Sequence, residues 1–286
     1  MSTNSTAGYL ERLGLEGNPE PTPENLRRLH RAHVERIPYE TLDFHRGVRA
    51  DLDPRESVRR IVEDRRGGYC FQLNGAFGAL LTALGYRVTV HAVGVQGTDD
   101  PAPVGVNGNH MALLVTGDAF EEPFLVDVGL GFAFHEPLPL RAGRTAQGPF
   151  AYELSPSPAV PGVWRLDHSP ARGFVGADIS TAEARVEDFA AEHVRLSTSP
   201  GSEFVRTARV QRRDAYGTDL LLGRVLTRIT ADGEVRREID DAGEWYGVLR
   251  DTFGLPLDCL DAAERRRLWE LVGAAHEAWL TGAAGR

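Results

Sequence analysis

Arg65-Arg66-Gly67-Gly68-Tyr69-Cys70-Phe71-Gln72-Leu73-Asn74-Gly75 sets one of the chain's two cysteines directly after a glycine pair and directly before an apolar, helix-forming run. A thiol in the first turn of a helix sits among unpaired backbone N–H groups at the positive end of the helix dipole. Such surroundings favour the thiolate, the nucleophilic form. The two glycines let backbone or substrate approach sulfur without a Cβ in the way. A reactive cysteine needs a base, and the base needs an orienting group. Downstream, Gly108-Asn109-His110-Met111-Ala112-Leu113-Leu114-Val115 opens an apolar strand with a histidine after a flexible loop. Further on, Phe124-Leu125-Val126-Asp127-Val128-Gly129-Leu130-Gly131 places an acid in an apolar strand, which is costly unless the acid is paired or hydrogen-bonded. Cys70, His110 and Asp127 are therefore the candidate nucleophile, base and orienter. Taken singly, Cys70 also reads as a buried structural thiol and Asp127 as a turn-capping carboxylate.

Outward from this block the hydrophobic period changes. Before it, apolar residues at Leu26, Leu29, Val34 and Ile37 predict a helix starting at Pro23 and stopped by Pro38. Asp53-Pro54 predicts the cap and first residue of a second helix, and Cys70 to Gly85 a third. After it, 88–93, 111–116, 124–128, 150–154 and 163–166 read as strands, followed by a helix over 182–193. A later set of strands over 204–210, 219–229 and 234–239 leads to helices at 244–253 and 262–280. Helices, then a strand-rich region, then strands with terminal helices predict an α+β fold.

The 286 residues carry a net charge of −9, with 42% hydrophobic and 26% charged residues, the profile of a soluble globular protein. Acidity argues against general nucleic-acid binding, and no apolar run is long enough for a membrane helix. The pairs Arg27-Arg28, Arg65-Arg66 and Arg212-Arg213 read as solvated faces. The N-terminus lacks the pattern of a signal peptide, so a cytoplasmic location is expected. All 32 basic residues are arginine. Without lysine there is no Walker A loop, no pyridoxal Schiff base and no Ser-Lys dyad. Two cysteines make neither a disulfide framework nor a Cys-rich zinc site, and Cys259 reads as a small packed hydrophobe. His30 and His33, one turn apart, lack further ligands, so no metal site is expected.

The block from Arg66 to Gly75, the histidine opening a strand, and the Val126-Asp127-Val128-Gly129-Leu130-Gly131 run together resemble the arylamine N-acetyltransferase family. Leu29-His30-Arg31-Ala32-His33 through Ile37-Pro38-Tyr39-Glu40-Thr41-Leu42-Asp43 is similar to that family's N-terminal signature. Leu196 to Phe204 is similar to the segment opening its third domain. Gln72 and Thr41 depart from the glutamate and asparagine that many members carry there.

The resemblance implies three subdomains around a cysteine-protease-like catalytic core. They are an N-terminal helical bundle (1–86), a β-barrel (87–181) and, after a linking segment (182–203), an α/β lid (204–286). It implies a Cys70-His110-Asp127 triad and an acyl-CoA-dependent N-acyltransferase. Such an enzyme moves an acetyl or short acyl group to an arylamine or hydrazine nitrogen by a ping-pong route through a cysteine thioester. Acetyl-CoA or another acyl thioester would be a co-substrate, with no cofactor permanently bound. Tyr39, Phe71 and Phe204 would wall an aromatic pocket, and Gly129 and Gly131 would approach the co-substrate. The alternative is an amide synthase that releases an arylamine-primed polyketide from an acyl carrier protein as a macrolactam. A Cys-His-Asp order also fits transglutaminase-like enzymes and cysteine proteases, and an inactive relative would serve as a binding module.

Overall fold

The computed structural model describes residues 1–48, 51–132, 134–157 and 160–284. Five helices come first: α1 (Thr3–Arg12), α2 (Pro23–Arg36), α3 (Leu42–Arg46), α4 (Pro54–Val62) and α5 (Cys70–Ala83). Asp53 caps α4 and proline opens both α2 and α4, as the sequence predicts, and Thr22 caps α2 through its side chain. Helix α1, which the apolar pattern does not reveal, is capped by Ser2. Helix α5 is apolar on nearly every face because it is the centre of the first core: α1 and α4 pack on one side and the barrel strands on the other.

Eight antiparallel strands follow: β2 (Arg87–Gln96), β3 (His110–Thr116), β4 (Phe124–Val126), β5 (Leu138–Pro139), β6 (Gly143–Gln147), β7 (Phe150–Pro156), β8 (Val163–Arg172) and β9 (Phe174–Ala184), the two-residue strand β1 (Tyr39–Glu40) lying earlier in the chain. Their order β5-β4-β3-β2-β9-β8-β7-β6 makes a nearly closed barrel. The side chain of Gln147 spans the gap between the edges: Oε1 accepts from the His135 and Glu136 N–H groups (2.7 and 3.0 Å) and Nε2 donates to the Glu136 carbonyl (2.9 Å). Strand β3 reads as a continuous apolar run because both faces are buried. Met111, Leu113 and Val115 join the helical core, while Ala112 and Leu114 face the barrel interior.

The chain then forms α6 (Ala190–Thr198), α7 (Glu203–Arg206), β10 (Arg209–Arg213), β11 (Gly217–Leu222), β12 (Val225–Thr230), β13 (Gly233–Glu238), α8 (Ala242–Asp251) and α9 (Ala262–Ala284). The second sheet runs β1-β10-β11-β12-β13, so Tyr39-Glu40 joins a sheet otherwise made 170 residues later: Tyr39 pairs with Gln211 and Glu40 with Val210. Trp245, Leu249 and Phe253 of the α8 region and Leu268 and Val272 of α9 cover the face that carries Val210 and Leu221. Five expectations are corrected. Residues 182–184 continue β9, because the register with β2 persists to Ala184. Residues 203–206 are helical, capped by Ser202. The span 219–229 is two strands, turned at Gly223, whose φ of 59° suits a tight hairpin. Arg66 and Arg213 are buried at 3% exposure rather than solvated, and Cys259 is exposed rather than packed.

Candidate active site

Arg66 is buried because two carboxylates receive it. Its guanidinium donates Nε to Glu40 Oε1 and Nη2 to Glu40 Oε2, both at 2.9 Å, and reaches Asp43 at 3.2 Å. Arg60 meets the same pair and also donates Nε to the Gly67 carbonyl (2.6 Å). Burial alone would raise the Asp43 pKa, but Arg66 and Arg60 hold it down at about 2. This network fixes the loop that delivers Cys70. The loop enters through Arg65 with φ at 52°. Gly67 lies flat against the Pro38 carbonyl where no Cβ fits, and a Cβ on Gly68 would meet Gln72 Oε1 at 2.6 Å. Gln72 itself accepts from the Tyr69 N–H (3.3 Å), closing the first turn of α5.

Cys70 opens α5 and is 4% exposed. His110 begins β3, held by Asn109, whose side chain pairs with the Val95 backbone as an extra strand residue would (2.8 and 3.0 Å). His110 Nε2 meets Asp127 Oδ2 at 2.6 Å, both groups being 3% exposed. Burial pushes the ring's pKa down. The Asp127 carboxylate, by charge and hydrogen bond, and then the Cys70 thiol overcome this and push it up to about 10. With Nε2 taken by Asp127, Nδ1 is the nitrogen left for the sulfur. Asp127 Oδ1 accepts from Asn74 Nδ2 (2.9 Å) and from the Gly129 N–H (2.8 Å).

Asn74, one turn after Cys70 on the same face of α5, was not singled out by sequence. Its Nδ2 also donates to the Met111 carbonyl (2.6 Å), and its Oδ1 accepts from the Val128 N–H (2.9 Å). One amide thus locks the helix of Cys70 to the strand of His110 and the loop of Asp127. Its i+4 spacing from Cys70 was the available signal. Gly129 closes the arrangement: a Cβ there would meet Cys70 Cα at 2.8 Å, Asn74 Nδ2 at 2.9 Å and the Cys70 carbonyl at 3.0 Å.

Cys70 and His110 face a cavity of about 310 Å³, which Tyr39, Phe204, Gly129, Leu130, Phe132 and Phe174 also line. The Tyr39 and Phe204 rings lie 6.3 Å apart. Burial and then the Cys70 charge raise the Tyr39 pKa, so its hydroxyl stays neutral beside the thiol. Phe71, expected in the pocket wall, does not line this cavity: it is fully buried, its ring 5.2 Å from that of Phe189 in the helical core. As the residue after Cys70 on a helix, it points about 100° away. Gly131 does not line it either. With φ at 68°, it makes room for the Gln211 side chain. His30 and His33 are buried core residues. His30 meets the Asp127 and His135 carbonyls, and among the described residues no three His, Cys, Asp or Glu side chains gather as a metal site.

A thiol at a helix start, a carboxylate-paired histidine on a barrel strand and a cavity beside them make up a core of the cysteine-protease type. A family model described as N-acetyltransferase matches residues 22–262. The arylamine N-acetyltransferase of Mycolicibacterium smegmatis is 30% identical over 273 residues, 87% of this chain and 91% of that one. The arylamine N-acetyltransferase of Mycobacterium bovis is 32% identical, covering 94% of each. The Mycobacterium marinum arylamine N-acetyltransferase solved in complex with CoA superposes with a TM-score of 0.84 at 29% identity, over 93% of this chain and 98% of that one. The chain belongs to the arylamine N-acetyltransferase family and is a transferase, with the α+β, cysteine-protease-like fold of its relatives. Among the described residues no helix is long and apolar enough to cross a membrane.

Proposed function

We propose that this protein acetylates aromatic amines or hydrazines from acetyl-CoA by a ping-pong route through a Cys70 thioester. The observation that carries this is the buried alignment of Cys70, His110 and Asp127 opening on an aromatic cavity. The Cys70 thiolate adds to the thioester carbonyl, forming an S–C bond and an oxyanion whose collapse breaks the bond to CoA sulfur. The CoA thiolate takes the proton from the His110 imidazolium and leaves. The amine then attacks the acyl-enzyme and gives its proton to His110 Nδ1, and Cys70 departs as thiolate. Tyr39 and Phe204 suit the ring of the acceptor, and Gly129 leaves the thioester free to reach sulfur. Free, unpaired Cys70 and Cys259 suit a reducing cytoplasm. The division into helical, barrel and lid subdomains near residues 86, 181 and 204 is part of this reading, the catalytic cavity lying where the three meet.

The test is intact-protein mass spectrometry after brief exposure to acetyl-CoA without acceptor, beside Cys70→Ala. One acetyl adduct on the wild type, absent from the variant and discharged by an arylamine, is expected. A protein that stays unlabelled while iodoacetamide still alkylates Cys70 would exclude acetyl-CoA as donor.

A second reading, the amide synthase acting on carrier-bound chains, has one observation in its favour. A chamber of about 280 Å³, lined by Leu220, Leu222, Val225 and Trp279 with Arg172, Glu234 and Arg236, shares Phe132, Gly173 and Arg209 with the cavity of Cys70. Acetyl leaves such a chamber empty, whereas a longer acyl chain fills it. Acylation of Cys70 that quickens from acetyl to octanoyl thioesters would favour this reading, and a steep decline would exclude it.

A further inference from the structure

Among the described residues, the Nε2 of Gln211 has no hydrogen-bond partner. On β10 the side chains alternate, and Val210 packs into the core with Trp245, so Gln211 faces the barrel. It is 2% exposed, it lines the cavity of Cys70 and His110, and its Nε2 finds no hydrogen-bond acceptor. Native proteins rarely leave a buried amide donor unsatisfied without a functional reason.

Its position relative to the nucleophile follows from backbone pairing. Tyr39 lies directly opposite Gln211 in the sheet and bridges on its other side to Gly68, two residues before Cys70. Two strand spacings put the Gln211 and Gly68 backbones about 10 Å apart. The loop 129–131 gives a second bearing. Gly129 seats against Cys70 and Gly131 against the Gln211 amide, and two residues span at most about 7 Å. The amide and the thiol therefore face one small volume from two sides.

We propose that Gln211 supplies the side-chain hydrogen-bond donor that receives the carbonyl oxygen of the acyl group being transferred to Cys70, and the oxyanion formed as the thioester is attacked. The ligand class is an acyl thioester carbonyl, and the inference rests on the Cys70 thioester reading above. A donor at that point is aimed at charge that develops in the transition state, where it lowers the barrier rather than merely aiding binding.

The test compares two reactions of the same thiol in wild type, Gln211→Met and Gln211→Glu. Acylation by acetyl-CoA builds an oxyanion, whereas alkylation by iodoacetamide does not. Single-turnover acylation is expected to slow about 100-fold in both variants. In Gln211→Met, which adds no charge, the rate and pH profile of alkylation should stay at wild-type values. Acylation unchanged, or slowed in step with alkylation, overturns the proposal and leaves Gln211 a packing residue. A measurement without mutation guards against misfolded variants. The infrared carbonyl band of wild-type [1-¹³C]acetyl-Cys70 should lie below that of the same thioester in an apolar solvent, and a band at the unbonded position is also contrary. A wild type that never acquires the acetyl label removes the thioester reading and this proposal together. A labelled wild type with fully active variants removes this proposal alone.

Discussion

Truncating Asn74 to alanine should loosen Cys70, His110 and Asp127 from one another while leaving all three residues unchanged. The side chain makes three buried hydrogen bonds: to Asp127 Oδ1, to the Met111 carbonyl and from the Val128 N–H. Asp127 is not stranded by the loss, since Oδ1 keeps the Gly129 N–H and Oδ2 keeps His110. The Met111 carbonyl and the Val128 N–H each lose this partner at buried positions. At about 1–3 kcal/mol for each, the expected loss is about 2–6 kcal/mol. For a chain of this size each kcal/mol lowers Tm by about 2 °C, so calorimetry should read a fall of about 4–12 °C. Acetyl transfer should fall by up to about 100-fold, because the helix of Cys70 and the loop of Asp127 no longer share a fixed distance. Asn74→Asp sharpens the test. It keeps the acceptor for Val128 but sets a second carboxylate against Asp127 Oδ1, where two negative charges cannot both stay ionised. It should be less active than the alanine variant at neutral pH and recover as pH falls. An alanine variant that melts within about 2 °C of wild type, or an aspartate variant that outperforms it at neutral pH, would refute the clamp.

Three further outcomes follow from the same geometry. His110 has its pKa raised to about 10, so the native state holds an extra proton between the ordinary value near 6.5 and 10. That stabilisation is complete below 6.5 and disappears as pH rises through 10, at about 1.4 kcal/mol per unit. Denaturant unfolding at pH 7 and 9 should show a loss of about 2–3 kcal/mol in wild type and a flatter profile in Asp127→Asn, equal slopes being the contrary result. Gly129→Ala forces a methyl group to within 2.8 Å of Cys70 Cα, so a backbone must move. It should cost about 1–3 kcal/mol and slow Cys70 alkylation, and normal alkylation would show that the loop yields freely. Arg66→Met leaves Glu40 and Asp43 with fewer cations and should cost about 3–5 kcal/mol by thermal melting at pH 7. Because Asp43 is held at about 2, its share is present above its ordinary value near 4 and lost as pH falls through 2. The gap between wild type and Arg66→Met should therefore narrow in acid.

The proposed triad stands out in the sequence because each member breaks a local rule. A cysteine comes just after two glycines, a histidine opens an apolar strand, and an acid directly follows another. What could not be read were residues that obey local rules and act at long range. Asn74 and Asn109 look like ordinary polar residues in a helix and a turn, and only the assembled fold turns their amides onto neighbouring elements. Arg66 reads as solvated beside Arg65, since nothing nearby in sequence announces that Glu40 and Asp43 will be waiting. Phe71 and Phe204 show the same limit from opposite sides. Both are aromatics beside the site, yet helix phase turns one into the core and a short capped helix presents the other to the cavity.

The strand Tyr39-Glu40 explains why a site assembled from distant segments can nevertheless be rigid. Two residues are too few to form stable structure alone, but each is fixed from several directions. Tyr39 is paired with Gln211 on one side and bridged to Gly68 on the other. The Glu40 N–H donates to the Gly68 carbonyl (2.8 Å), while its carboxylate receives Arg66 and Arg60. The loop that delivers the thiol is thereby registered directly to the C-terminal sheet. A change in that sheet reaches Cys70 through two backbone pairings rather than through a flexible connection. Substitutions at Val210 or Trp245, buried in the core beneath β10 and outside the catalytic cavity, should therefore disturb acylation along with stability.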